Sequence, residues 1–191
     1  MALAALLLAG CAPPPLRFYT LSQPPAGDDS RPLPDGAAVI EVGRLILPND
    51  VDSEDLLLRD GDVVERSPTG RWVSRLSLLA TDLVTARLAA RAPDALVTDE
   101  WPAVAPDYRV MIHVARLDVA NSGHGSLDAD WQISARHPGQ GLIRGRANIR
   151  LAGRTATDQD VVRLETALFD RLASSIRLPK EINGYPGDRP P

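Results

Sequence analysis

Leu127-Asp128-Ala129-Asp130-Trp131-Gln132-Ile133-Ser134-Ala135-Arg136 is the stretch that decides the fold. Leu127, Ala129, Trp131, Ile133 and Ala135 recur at every second position, and Asp128, Asp130, Gln132 and Ser134 fill the places between. A period of two belongs to a strand, because successive side chains leave a pleated backbone on opposite faces. One face is therefore apolar and the other wet. Leu142 to Leu151 repeats the pattern, with Ile143, Ala147, Ile149 and Leu151 on one side and Arg144, Arg146, Asn148 and Arg150 on the other. His137-Pro138-Gly139-Gln140-Gly141 joins the two with turn chemistry, so they are expected to pair antiparallel, with Asp128 or Asp130 opposite Arg150.

Upstream, Tyr108 to Val119 places Tyr108, Val110, Ile112 and Val114 on one face and reads as a third such strand. Ala38 to Leu47 reads as a strand with Ile40, Val42 and Ile46 on one face and Val39, Leu45 and Leu47 on the other, both partly buried. Leu16 to Leu21 is a short β-prone run, and Ser22 to Gly36 is a long loop. Asp60-Gly61 between Leu56–Arg59 and Val63–Arg66 is a hairpin signal.

Two segments have helical period. From Trp72 to Ala92, Leu76, Leu79, Leu83, Ala86 and Ala90 form a stripe widened by Ala80, Val84 and Leu88, and Pro93 stops it. Few cations line its polar face, so packing on a sheet is expected rather than membrane binding. Thr157-Asp158-Gln159-Asp160 is a capping signature for a helix reaching about Arg177 with Val161, Leu164, Leu168, Leu172 and Ile176 inward. Pro179 ends it. The pieces predict an α+β, two-layer domain: two long amphipathic helices on one face of a mostly antiparallel sheet, the charged face left open.

The chain has 191 residues, 44% of them hydrophobic and 24% charged, which suits a single globular domain. A net charge of -4 lacks the basic footprint that nucleic acid requires, so no nucleic-acid partner is expected. His113, His124 and His137 stand in no metal-ligand spacing, and no metal is expected. Asp50, Asp52 and Glu54 alternate as in a calcium loop, but Asp55 and Gly61 occupy the places of the required glycine and the bidentate acid. Ser122-Gly123-His124-Gly125 has no strand–elbow–helix context, no phosphate-binding glycine motif occurs, and Asp99-Glu100 abut Trp101-Pro102 in a loop. No catalytic set is expected, so the chain is not read as an enzyme, and a hydrolase is disfavoured.

The single cysteine closes Leu8-Ala9-Gly10-Cys11, after an apolar run from Ala2. As a helix, that run would be about 14 Å long against a hydrocarbon core of about 30 Å, too short to span. It reads as a signal sequence with a lipobox. Peptidase would cut between Gly10 and Cys11, and Cys11 would carry a diacylglyceryl group and an N-acyl chain, the only cofactor-like groups expected. The charged start of such a leader is missing, and the true start is expected upstream. The expected organisation is a signal peptide over 1–10, a lipidated cysteine and Pro-rich tether over 11–15, the domain over 16–178 and a Pro/Gly tail over 179–191.

Taken in order, the lipobox, Phe18-Tyr19-Thr20-Leu21, Leu47-Pro48, Arg59-Asp60-Gly61, the Trp72-led segment, Trp101-Pro102, Asp107-Tyr108-Arg109-Val110, the Trp131 strand and the closing helix carry a resemblance. The chain resembles the ABC-type transport auxiliary lipoproteins of the paraquat-inducible intermembrane transport system. Phe18 stands where a second tyrosine is common. The resemblance implies a non-catalytic periplasmic lipoprotein, partnered with a mammalian-cell-entry (MCE) domain protein that carries lipid between membranes. Ala12 after the cysteine, in place of aspartate, implies anchoring at the outer membrane. The charged sheet face and the loops 48–55 and 121–125 are the expected partner surfaces, and a homo-oligomer is left open. The competing reading is a lipoprotein cofactor of another envelope-assembly machine, for peptidoglycan synthesis or outer-membrane barrels; the short tether argues against it.

Overall fold

A computed structural model describes residues 14–21, 32–136 and 142–179. The three strands singled out by alternation form its spine: β6 (Tyr108–Val119), β7 (His124–Ala135) and β8 (Leu142–Ala152), joined antiparallel. Inward residues Val110, Ile112, Leu127, Ala129, Trp131, Ile133 and Ala147 are all buried. The β6–β7 turn contains Gly123 at φ 83, and a Cβ there would meet the Gly153 carbonyl oxygen, so only glycine fits. A bulge between Val114 and Arg116 switches the parity of β6, so that odd-numbered Leu117 and Val119 also face the core.

Two short strands extend this sheet in parallel. They are β2 (Val39–Val42), beside β6, and β5 (Leu96–Thr98), which sequence reading passed over. The five-stranded order is β5-β2-β6-β7-β8, so among the described residues β8 is an open edge. A second sheet, absent from the sequence expectation, has the order β1-β4-β3: β1 (Arg17–Tyr19), β3 (Asp55–Asp60) and β4 (Val63–Trp72). β3 and β4 form the expected hairpin around Gly61, at φ 58, while β1 joins β4 in parallel. The antiparallel ladders are the long ones, and the pairing as a whole is mixed.

The expected strand Ala38 to Leu47 is cut to Val39–Val42 for a visible reason. Gly43 N–H donates to Val110 O and Ile46 N–H to Ile112 O, so the chain advances three residues where β6 advances two, and the stretch Arg44-Leu45 holds one extra residue against β6. Leu45 turns inward, its N–H donating to Thr81 Oγ1 at 3.0 Å. After this slip, Leu45 and Leu47 share the core with Ile40 and Val42, and Ile46 is turned out at 56% exposure, a reversal of its expected place.

Helices α1 (Leu76–Arg91) and α2 (Asp158–Ser175) cover the apolar side. Trp72 heads no helix; it ends β4 and is buried at 1% exposure. Within α1, Leu76, Leu79, Ala80, Leu83, Val84 and Leu88 are buried as expected, but Ala90 is exposed. The first turn of α1 is capped from a distance: Asp52 Oδ1 accepts from Ser77 N–H at 3.0 Å. In α2, Thr157 accepts from Asp160 N–H at 3.2 Å, and Val161, Leu164, Leu168, Leu172 and Ile176 are buried. The helices are tied by Arg87, which donates to both oxygens of Asp170 at 2.7 and 3.1 Å, and by Arg91, which donates to the carbonyls of Ala173 and Ile176. This leaves the second face of the five-stranded sheet uncovered among the described residues.

Candidate functional site

Across that open face runs a groove of about 640 Å³. Backbone of Ile112, Trp131 and Gly145 lies along it, and the outward side chains Ile46, Met111, His113, Asp130, Gln132, Arg144 and Arg146 line it. The residues reach one level because β6, β7 and β8 are in continuous register there: His113 faces Asp130, Asp130 faces Arg146, and Gln132 faces Arg144. His113 also meets Ile46 in an isolated parallel bridge.

The polar groups around the groove are largely committed. Arg146 donates to Asp130 at 2.8 Å, and Arg150 grips Asp128 with two bonds of 2.7 and 2.9 Å while Asn148 adds a third at 2.9 Å. Those donors hold the Asp128 carboxyl below its ordinary pKa of 3.8, the Arg150 bonds contributing most and Asn148 next. Arg150 does not lie straight across from Asp128, as expected from alternation; Ser126 is its registered partner and the ion pair is diagonal. Arg44 donates to Ser77 Oγ, and Arg109 pairs with Glu41. Among the described residues Arg144 has no ion-pair partner, and it stands at the groove with two exposed apolar side chains, Ile46 and Met111. Met111 was visible in the sequence as an apolar residue at a polar position of β6. Ile46 was not, because its phase depends on the slip at Arg44-Leu45.

The other candidate residues lie apart. Gly10 and Cys11, the cleavage and lipidation residues, fall outside the described residues, as do the signal segment, most of the tether, His137 and the tail from 180. The loop 48–55 is engaged in folding: Asp52 caps α1 and accepts from Arg75. In the loop 121–125, Asn121 N–H donates to Arg59 O, and Ser122 Oγ contacts His124 Nδ1 at 3.2 Å. Neither loop lines the groove. Asp99 hydrogen-bonds Asp82, whose pKa is raised by burial first and by Asp99 second, while Trp101 stands free at 89% exposure. Among the described residues no cluster of three metal-ligating side chains exists, and no helix is long and apolar enough to cross a membrane.

One buried ionisable group was missed by sequence reading. Glu165, in the second turn of α2, is 5% exposed, and its Oε2 has no hydrogen-bond partner among the described residues. Burial pushes its carboxyl up to about 8. It borders a small cavity together with Asp55, Arg59, Trp72 and Asp118.

The family model of the ABC-type transport auxiliary lipoprotein component matches residues 19–177. The chain belongs to this family. The matched range lies inside the domain expected over 16–178. The chain also shares its fold with two solved structures. One is an uncharacterised protein at 12% identity and TM-score 0.68, covering 84% of this chain and 95% of the other. The second is a protein from Xanthomonas campestris of the DUF330 family, at 11% identity and TM-score 0.59, covering 83% and 91%. No curated protein matches the chain. An auxiliary role in ABC-type transport and a membrane-anchored envelope location follow from the family.

Proposed function

We propose that the chain is a non-catalytic lipoprotein, held by lipid on Cys11 at the periplasmic face of the outer membrane, where it docks an MCE-domain protein of an intermembrane lipid-transport system. The observation that carries the docking is the composition of the groove. Ile46 and Met111 offer exposed apolar surface beside Arg144, a cation without an ion-pair partner among the described residues. The fitting segment brings an apolar side chain for the first two and a carboxylate for the third, so that burial supplies affinity and charge sets register.

Affinity capture of the lipoprotein from detergent-solubilised envelopes tests this. The wild-type chain retains the MCE-domain protein, and Met111→Asp with Arg144→Glu loses it while the thermal midpoint stays unchanged. Undiminished capture by the double variant overturns the groove as the docking site. Fractionation of the mature protein wholly into the inner membrane overturns the outer-membrane placement.

A further inference from the structure

The described domain begins with apolar side chains that the fold does not use. Leu16 and Phe18 expose 54% and 66% of their surface on either side of Arg17. β1 pairs with β4 through Arg17↔Gly70, Phe18↔Arg71 and Tyr19↔Trp72. Tyr19 packs against the core and Trp72 is buried in it, so by alternation Phe18 is turned outward. β1 is the outer strand of its sheet. Val73, whose N–H donates to Tyr19 O, adds a third exposed apolar side chain beside the strand.

Single exposed apolar residues are ordinary on a protein surface. What sets these apart is the point from which the chain arrives. Cys11 precedes Leu16 by five residues, and five residues span at most about 18 Å even when fully extended. A lipid on Cys11 seats that residue at the bilayer surface, so Leu16 lies within that distance of the headgroups whatever path the tether takes. The chemistry suits that place: Leu16 and Phe18 share one face of the strand and reach toward the acyl boundary, while exposed Arg17, turned to the other face of this edge strand, is long enough to bring its guanidinium to the phosphates at the rim.

We propose that Leu16, Arg17 and Phe18 form a membrane-contact patch on which the domain rests against the phospholipid bilayer that holds its anchor. Leu16 and Phe18 enter the interface and Arg17 stays among the phosphates. The domain thus has a fixed attitude on the membrane rather than swinging from a thread. This inference rests on the lipid-anchor reading above.

The test uses the full mature lipoprotein, in a Trp101→Phe background, reconstituted into phosphatidylethanolamine and phosphatidylglycerol vesicles whose acyl chains are brominated near the headgroup. Trp72 and Trp131 are buried, so Phe18→Trp adds the one exposed indole. Flotation with the vesicles, together with blue-shifted and quenched added emission, is the expected result. Flotation with added emission unquenched and water-like overturns the patch and leaves the anchor standing. Failure to float overturns the anchor and the patch with it. In a companion measurement on the unlipidated Cys11→Ser chain, Leu16→Ser with Phe18→Ser lowers residual vesicle binding by about tenfold or more; equal binding by the two chains overturns the patch.

Discussion

The indole of Trp131 on β7 lies over Gly145, its registered partner on β8. A Cβ at position 145 would collide with Cζ2 and Cε2 of the ring and come within 2.9 Å of Nε1. Glycine in a strand normally weakens it, but an aromatic ring folded across the bare backbone restores the buried surface. Gly145→Ala, an improvement by propensity alone, is therefore expected to destabilise by about 1–3 kcal/mol through overpacking. Urea unfolding checks it, with a lower midpoint at unchanged slope as the expected outcome.

Glu165 makes stability depend on pH in the direction opposite to most carboxylates. Its folded pKa of about 8 lies above the unfolded value of 4.5, so the native state binds the extra proton between them. The associated stability is fully present below pH 4.5 and is lost as pH rises through 8, at up to about 1.4 kcal/mol per pH unit. Asp55, Asp118 and Arg59 face the same cavity, and Arg59 is already bonded to Asp118 at 2.6 Å. Glu165→Gln is expected to flatten the stability profile over that window and to be more stable than wild type at its alkaline end. Denaturation at a series of pH values reads both effects.

Both helix starts depend on side-chain acceptors, one local and one remote. Thr157→Ala removes the cap of α2, and Asp52→Ala removes the acceptor for Ser77 N–H in α1. Each is expected to cost about 0.5–2 kcal/mol in thermal or urea unfolding. The remote cap also carries the bond from Arg75 Nη2 at 3.4 Å, so Asp52→Asn should recover part of the loss by keeping an oxygen for the helix.

Cys11→Ser is expected to fold as the wild type, because the core begins beyond the tether, with Tyr19 and Leu21 its first contributors. The variant should leave the membrane fraction. Circular dichroism and fractionation together measure this, and full complementation of a deletion by the variant would make the anchor dispensable.

The sheet and helices were legible where one periodicity ran without interruption. β7 alternates from Leu127 onward and β8 along its length, and α2 keeps its stripe from Val161 to Ile176. Sequence reading failed where the backbone changes phase. The slip at Arg44-Leu45 depends on an acceptor, Thr81, which lies on a different element, and no local pattern announces it. The second sheet was hidden for a related reason: β1 meets β4 in parallel at a register offset of 53 positions, from Arg17 to Gly70. Such pairings leave no turn signal between the partners. The site was half legible. Asp130, Arg144 and Arg146 stood out as a charged face, whereas the place of Ile46, and Arg144's lack of an ion-pair partner among the described residues, emerge only from three-dimensional register.

The open edge of β8 has a consequence for life at high local concentration on a membrane. Among the described residues the outer edge of this 11-residue strand is unpaired, a template on which another copy could extend the ladder into a growing ribbon. Arg144, Arg146 and Arg150 share one face of that strand. Two copies meeting edge to edge would bring these arginines into rows of like charge, so Arg144 and Arg146, which line the groove, also guard with Arg150 against fibrous self-association.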